Sequence, residues 1–94
     1  MKILDKDGNQ ITSLDFGFVE IGKSHTFNYT IHNDTPYRVI NIDVEVGEKN
    51  VKVQAPSQMT PNGKSELSFT WLPPLDQKKG LTTYFKIKRT EVYD

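Results

Sequence analysis

Residues 17–24 match the pattern of a phosphate-binding loop. Two glycines, Gly17 and Gly22, are separated by four residues and are followed directly by Lys23 and Ser24. In a loop of this kind the backbone amides surround the phosphates, the lysine contacts them and the hydroxyl binds Mg²⁺. The match gives one hypothesis, a nucleotide-binding enzyme.

The residues around this match argue against a phosphate loop. A working loop lies between a buried strand and a helix whose amino terminus faces the phosphates. The residues after Ser24 instead alternate between polar and apolar, which predicts a strand. Bulky residues and Glu20 also stand where a phosphate cradle needs small, uncharged ones. We therefore place the nucleotide-binding enzyme last among the functional hypotheses.

The other candidates for catalysis are isolated from one another. His25 and His32 have opposite parity on one predicted strand, so they face opposite surfaces and cannot share a metal ion. Asp43 and Glu45 are two residues apart and suggest a carboxylate pair, but a solvated strand face is the commoner reason for such a pattern. No serine lies in a nucleophile-elbow context. We expect no catalytic site, no cofactor and no metal.

Composition narrows the class of protein. A chain of 94 residues supports a single domain, residues 1–94, and its 12 basic and 12 acidic side chains cancel. With no net charge, we expect neither nucleic acid nor a membrane as a partner. The absence of cysteine excludes disulfides and thiol chemistry. The amino terminus lacks the apolar core of a signal peptide, so we expect no secretion by a cleaved signal.

Period-two alternation predicts an all-β fold. The chain has a single alanine and is rich in β-branched and aromatic residues, which favour strands. About seven alternating runs are separated by turn signals, as is typical of a sandwich. The clearest run, residues 38–46, places one set of side chains inward (Ile40, Ile42, Val44, Val46). We expect an immunoglobulin-like antiparallel β-sandwich of about seven strands.

The parity of the apolar residues changes beside Gly17. The apolar side chains of Leu14, Phe16 and Phe18 stand at even positions, and those of Val19 and Ile21 stand at odd positions. Such a change is typical of a β-bulge, which glycine permits. We expect Gly22 to make a turn, after which a strand runs to Asn33.

Three short segments share the motifs of a known domain family. They are Leu-Asp-Phe-Gly-Phe-Val-Glu-Ile-Gly at 14–22 with Asn33 beyond it, Met-Thr-Pro-Asn-Gly at 59–63, and Phe-Thr-Trp-Leu-Pro at 69–73. Together they resemble the ASH-type domains of ciliary and centrosomal proteins, which are immunoglobulin-like relatives of major sperm protein. The resemblance covers residues 14–87 and implies a sandwich that contacts proteins without catalysis. We assign structural roles to Phe16, Gly17, Val19, Gly22, Asn33, Trp71 and Pro73.

The last predicted strand comprises residues 81–93. Domains of that family usually have one more strand after the strand to which it corresponds. Either the amino-terminal segment replaces the missing strand or the sandwich has an open edge. An open edge would accept a strand from a partner, including by strand exchange.

Basic residues are concentrated in the second half of the chain. Residues 1–47 carry four basic and seven acidic side chains, whereas residues 48–94 carry eight and five. Lysines on an edge strand commonly protect it from aggregation. The functional alternative is a contact surface for an acidic protein partner or a second copy of the chain, formed by Lys78, Lys79, Tyr84, Lys86, Lys88 and Arg89.

The length of the chain favours one of the two remaining functional hypotheses over the other. ASH-type domains usually belong to much longer chains, whereas a separate chain of 94 residues suits a component of a large assembly. We expect a phage virion structural protein, either a capsid decoration or a neck-tail component, with a capsid or tail protein as its partner. The alternative is an ASH-like adaptor of a ciliary or cytoskeletal protein in the cytoplasm.

Overall fold

The computed structural model of the protein describes residues 1–17, 22–73 and 81–93. This described part contains ten strands and no helix, so the predicted all-β fold is confirmed. The strands are β1 (Lys2–Leu4), β2 (Gln10–Ile11), β3 (Leu14–Gly17), β4 (His25–His32), β5 (Arg38–Val46), β6 (Val51–Gln54), β7 (Gln58–Met59), β8 (Lys64–Trp71), β9 (Leu81–Thr83) and β10 (Phe85–Val92). Their number exceeds seven because several consist of only two or three residues.

The strands form an antiparallel β-sandwich, as predicted. One layer is a five-stranded sheet in the order β2-β1-β4-β8-β6. The other strands form a three-stranded sheet, β10-β5-β7, and a pair, β3-β9. Only Tyr84 separates β9 from β10, so this single run of chain connects the pair to the three-stranded sheet.

The core lies between the inner faces of these sheets. The five-stranded sheet contributes Ile3, Ile31, Leu67, Phe69 and Trp71, and the remaining strands contribute Leu14, Phe16, Val44 and Met59. Phe85 and Ile87 of β10 are half-buried and pack against this cluster. The alternation expected for the last strand therefore holds at these two positions.

Aromatic rings at the centre of the core hold β3 against the five-stranded sheet. The ring of Phe16 stacks on that of Phe27 with centroids 4.3 Å apart and planes 9° apart. It also lies 5.7 Å from the ring of Trp71 and 6.4 Å from that of Phe69. Aromatic pairs at these separations contribute beyond the area that they bury. The structure thus buries Phe16 and Trp71, and it buries Pro73 as well.

A β-bulge occurs in β3 where the parity change predicted it. Asp15 pairs with Thr82 and Gly17 pairs with Leu81, so Phe16 is the extra residue. Gly17 has a φ of 64°, and its amide donates to Oδ1 of Asp15 at 2.9 Å. The predicted structural residue Val19 lies outside the described residues.

The segment that matched a phosphate loop continues into a strand. Gly22 has a φ of 84° and lies in a turn, as predicted. Shortly after Lys23 and Ser24 the chain enters β4, which runs between β1 and β8 in the middle of the five-stranded sheet. Residues 25–32 are thus a strand at the point where a phosphate loop requires a helix.

Asn33, at the end of β4, is fully buried and links two loops. Its Nδ2 donates to the carbonyl oxygens of Tyr37 and Thr60, at 2.7 and 2.9 Å. Its Oδ1 accepts from the hydroxyl of Thr35 at 2.6 Å, and its backbone amide donates to the carbonyl of Gly63 at 2.9 Å. The side chain therefore fastens the β4–β5 loop to the turn before β8.

The alternation predicted for residues 38–46 is interrupted by a second bulge. The register of β5 on β10 shifts between Lys88 and Thr90, and Asn41 has a φ of 55°. As a result Val39 is fully buried and Ile40 is only partly buried. The sequence pattern predicted that Ile40 faces the core, whereas the structure buries its neighbour Val39 more deeply.

The amino-terminal segment does not pair with β10. β1 pairs with β4 and with β2 in the five-stranded sheet, and β10 lies at the end of the other sheet. Of the two predicted alternatives, the open edge is the one found in the described part of the chain.

We expect Asn33→Ala to lower the free energy of unfolding by about 1–3 kcal/mol, because the buried Asn33 side chain donates to the carbonyls of Tyr37 and Thr60 and accepts from Thr35, and all three hydrogen bonds are lost. Asn28→Ala is the matched control, since Asn28 is exposed on the same strand, and its effect should stay within about 0.5 kcal/mol. Urea unfolding followed by the fluorescence of Trp71, the single tryptophan, measures both. Equal losses would contradict the role of Asn33.

We expect Gly17→Ala to destabilise by about 1–2 kcal/mol, because an L-residue pays this cost in the left-handed region. A Cβ at Gly17 would meet no atom within 4 Å, so the loss is conformational. Gly17→Asn should recover most of it, since asparagine adopts positive φ more readily. Urea unfolding compares the two variants, and an equal loss would point to a steric clash instead.

Candidate interaction edge

The outer edge of β10 is the longest free strand edge at the end of either larger sheet. β10 pairs with β5 along one side and has eight residues, whereas the other end strands have four in β6 and two each in β2 and β7. No strand covers its second side among residues 1–17, 22–73 and 81–93. Such an edge presents unpaired amides and carbonyls that can bind a further strand.

The hydrogen bond between Gly47 and Tyr84 shows which backbone groups are unpaired. The amide of Gly47 donates to the carbonyl of Tyr84 at 3.1 Å, and Phe85 is opposite Val46. Hydrogen-bonding residues alternate along an antiparallel strand. Lys86 and Lys88 therefore bond to β5, and the amides and carbonyls of Phe85 and Ile87 point away from it.

The side chains of β10 divide between the two faces of the sheet. Phe85 and Ile87 are half-buried against the core, and Tyr84, Lys86 and Lys88 are exposed on the opposite face. The structure thus brings together three of the predicted contact residues on one stripe. Lys78 and Lys79, which were predicted to belong to the same surface, lie outside the described residues.

An acidic stripe on β5 borders the lysine stripe on β10. Lys86 is opposite Glu45 and Lys88 is opposite Asp43. The ammonium of Lys88 lies 2.7 Å from Oε1 of Glu45. This hydrogen bond holds the pKa of Glu45 below its usual value and raises the pKa of Lys88. Asp43 and Glu45, interpreted from the sequence as a solvated face, therefore compensate the lysines on one side.

Tyr84 lies at the start of the edge and covers Gly47. A Cβ on Gly47 would come within 2.5 Å of Cε1 of Tyr84 and 2.8 Å of its Cδ1. Glycine at position 47 thus lets the ring lie across the neighbouring strand. Tyr84 is nevertheless 66% exposed.

A tyrosine pair that the sequence patterns did not reveal lies at the far end of β10. The rings of Tyr37 and Tyr93 meet edge to face with centroids 4.4 Å apart. The hydroxyl of Tyr93 donates to Oε2 of Glu91, which raises the pKa of Tyr93. Arg89, the remaining predicted contact residue, is exposed at the bulge and lies 3.9 Å from Oε1 of Glu91. No periodic signal marks such a contact, because it depends on the register of β5 and β10.

The grooves elsewhere on the described surface lack a reactive constellation. One of about 260 Å³ lies on the outer face of the five-stranded sheet between Asn28, Gln54, Glu66 and Ser68. Another lies beside Tyr29, whose pKa is raised by burial and by the nearby carboxylates of Asp15 and Asp5. No group of three or more potential metal ligands occurs within the described ranges.

We expect amide hydrogen exchange to alternate along β10. Phe85 and Ile87 should exchange at least about tenfold faster than Lys86 and Lys88, because only the latter amides donate to β5. Exchange measured residue by residue by NMR on the monomer tests this. Protection of Phe85 and Ile87 equal to that of the two lysines would mean that the edge is covered.

Comparison of the chain with protein-family models, curated protein sequences and solved structures gave no match. The described residues also include no helix that is long and apolar enough to cross a membrane.

Proposed function

We propose that the protein is a non-enzymatic structural module that binds a protein partner by adding a strand to the edge of β10. The observation that carries this proposal is the length of the unpaired edge, eight residues in Phe85–Val92. Main-chain hydrogen bonds from Phe85 and Ile87 would supply affinity, and the side chains beside them would supply specificity.

Exposed aromatic residues at both ends of β10 support this use of the edge. Tyr84 precedes the strand and is 66% exposed, and Tyr93 follows it and is 68% exposed. Tyrosine is enriched where proteins contact one another, because its ring adds contact area at little cost in conformational entropy. Each ring leans towards the β5 side, over Gly47 or against Tyr37, and its exposed part adds contact area on the sheet face beside the edge.

We propose a phage virion as the assembly, with a capsid or tail protein as the partner. A small, cysteine-free, neutral sandwich with an edge for strand addition suits such a component. The alternative is an ASH-like adaptor in the cytoplasm or cytoskeleton. This alternative rests on the resemblance of residues 14–22, 59–63 and 69–73 to the motifs of ASH-type domains.

Incorporation into particles tests the proposal. The chain should be found by mass spectrometry in purified virions at a fixed copy number per particle. Co-purification with cytoskeletal proteins and absence from particles would favour the adaptor instead.

Two substitutions at Ile87 test the role of the edge. Ile87→Ala and Ile87→Pro both replace the isoleucine side chain with a smaller one, but only proline also removes the outward N–H, and proline is tolerated where the N–H faces away from the ladder. The proline variant should lose incorporation by at least about tenfold relative to the alanine variant, since hydrogen bonds to the partner are lost. Trp71 fluorescence checks that both fold. Equal incorporation would show that binding does not use this edge.

A further inference from the structure

We infer that the strand accepted by β10 alternates apolar and acidic residues, and this inference rests on the proposed function. The edge offers two rows of side chains at once: Phe85 and Ile87 on the core side, and Lys86 and Lys88 on the outer side. A partner strand must satisfy both rows, because side chains directly opposite each other lie on the same face.

The core-side row requires apolar residues. Phe85 and Ile87 pack against the buried cluster and remain only half-buried in the free protein. Partner residues opposite them would continue the core outward and remove the rest of this apolar surface from water. A polar side chain there would be buried without a hydrogen-bond partner.

The outer row requires carboxylates. Glu45 and Asp43 lie beside the lysines on the β5 side, and the opposite side of the lysines has no neighbour in the described part of the chain. Within the described residues Lys88 forms an ion pair with Glu45 at 2.7 Å, and Asp43 and Glu45 act on Lys88 and Lys86 from the β5 side only. Acidic partner residues would complete three alternating stripes of charge, whereas basic ones would place like charges opposite each other.

The same row disfavours a second copy of the chain. In an antiparallel β10–β10 pair related by a two-fold axis, an axis at Lys86 or at Lys88 places that lysine opposite its own copy. An axis at Ile87 places Lys86 opposite Lys88. These three registers set ammonium groups against one another, and β10 itself offers a single carboxylate, Glu91, and no acidic row to place opposite the lysines. We therefore assign the edge to a different protein, one whose strand carries such a row.

Binding of short synthetic peptides tests the inference. The probes are three capped peptides in which valine alternates with glutamate, with threonine or with lysine. The glutamate peptide should bind at least about tenfold more tightly than the lysine peptide, because two cross-strand pairs change from attractive to repulsive. In the bound state the amides of Phe85 and Ile87 should become protected from exchange.

Charge-neutral variants identify the residues responsible. In the double variant Lys86→Gln, Lys88→Gln the preference for glutamate over lysine should fall to within about twofold, since both charge pairs are lost. Lys52→Gln is the matched control, because Lys52 is an exposed lysine on β6 of the other sheet. It should leave the preference unchanged.

The outcomes separate the inference from the proposed function. Two results would overturn the inference that the partner strand alternates apolar and acidic residues and would leave the edge as the binding surface. One is equal binding of the three peptides. The other is no binding of any peptide although the amides of Phe85 and Ile87 exchange rapidly. Slow exchange of these two amides in the free monomer overturns both, because the edge would then be closed.

Discussion

The packing of Phe16 against the aromatic rings of β4 and β8 is the constraint on which the sandwich depends. β3 is four residues long and, among the described strands, pairs with β9 alone, so its backbone hydrogen bonds by themselves stabilise its position only weakly. The Phe16 ring, stacked on Phe27 and close to Trp71, fixes β3 over the five-stranded sheet. β9 leads directly into β10, and the position of the free edge therefore follows in part from this aromatic contact.

Much of the fold could be predicted because one face of each long strand is buried. Burial forces apolar side chains onto alternate positions, as in β4, and the interruption of that period marks the bulge at Gly17. The bulge in β5 could not be predicted in the same way. Asn41 adopts a φ of 55° and is exposed, so it resembles the polar residue that regular alternation requires at that position.

The sequence was sufficient to predict which side chains of β10 share one face, but not which acidic side chains lie beside them. Alternation alone places Tyr84, Lys86 and Lys88 on one stripe, but the acidic neighbours of the lysines depend on which strand pairs with β10 and in what register. The contact of Tyr37 with Tyr93 depends on register as well. Such information lies in pairs of residues far apart in the chain, and a local period does not contain it.

The lysines of β10 make the electrostatic potential at this edge sensitive to ionic strength. Neighbouring strands lie about 4.8 Å apart, and the Debye length falls from about 8 Å at physiological salt to roughly 3 Å at 1 M. Repulsion between two copies of β10 therefore persists in the cell and is screened in concentrated salt. The same screening weakens attraction to an acidic strand. If the proposed acidic strand is the partner, salt would therefore weaken its binding while it relieves the repulsion between two copies of the edge.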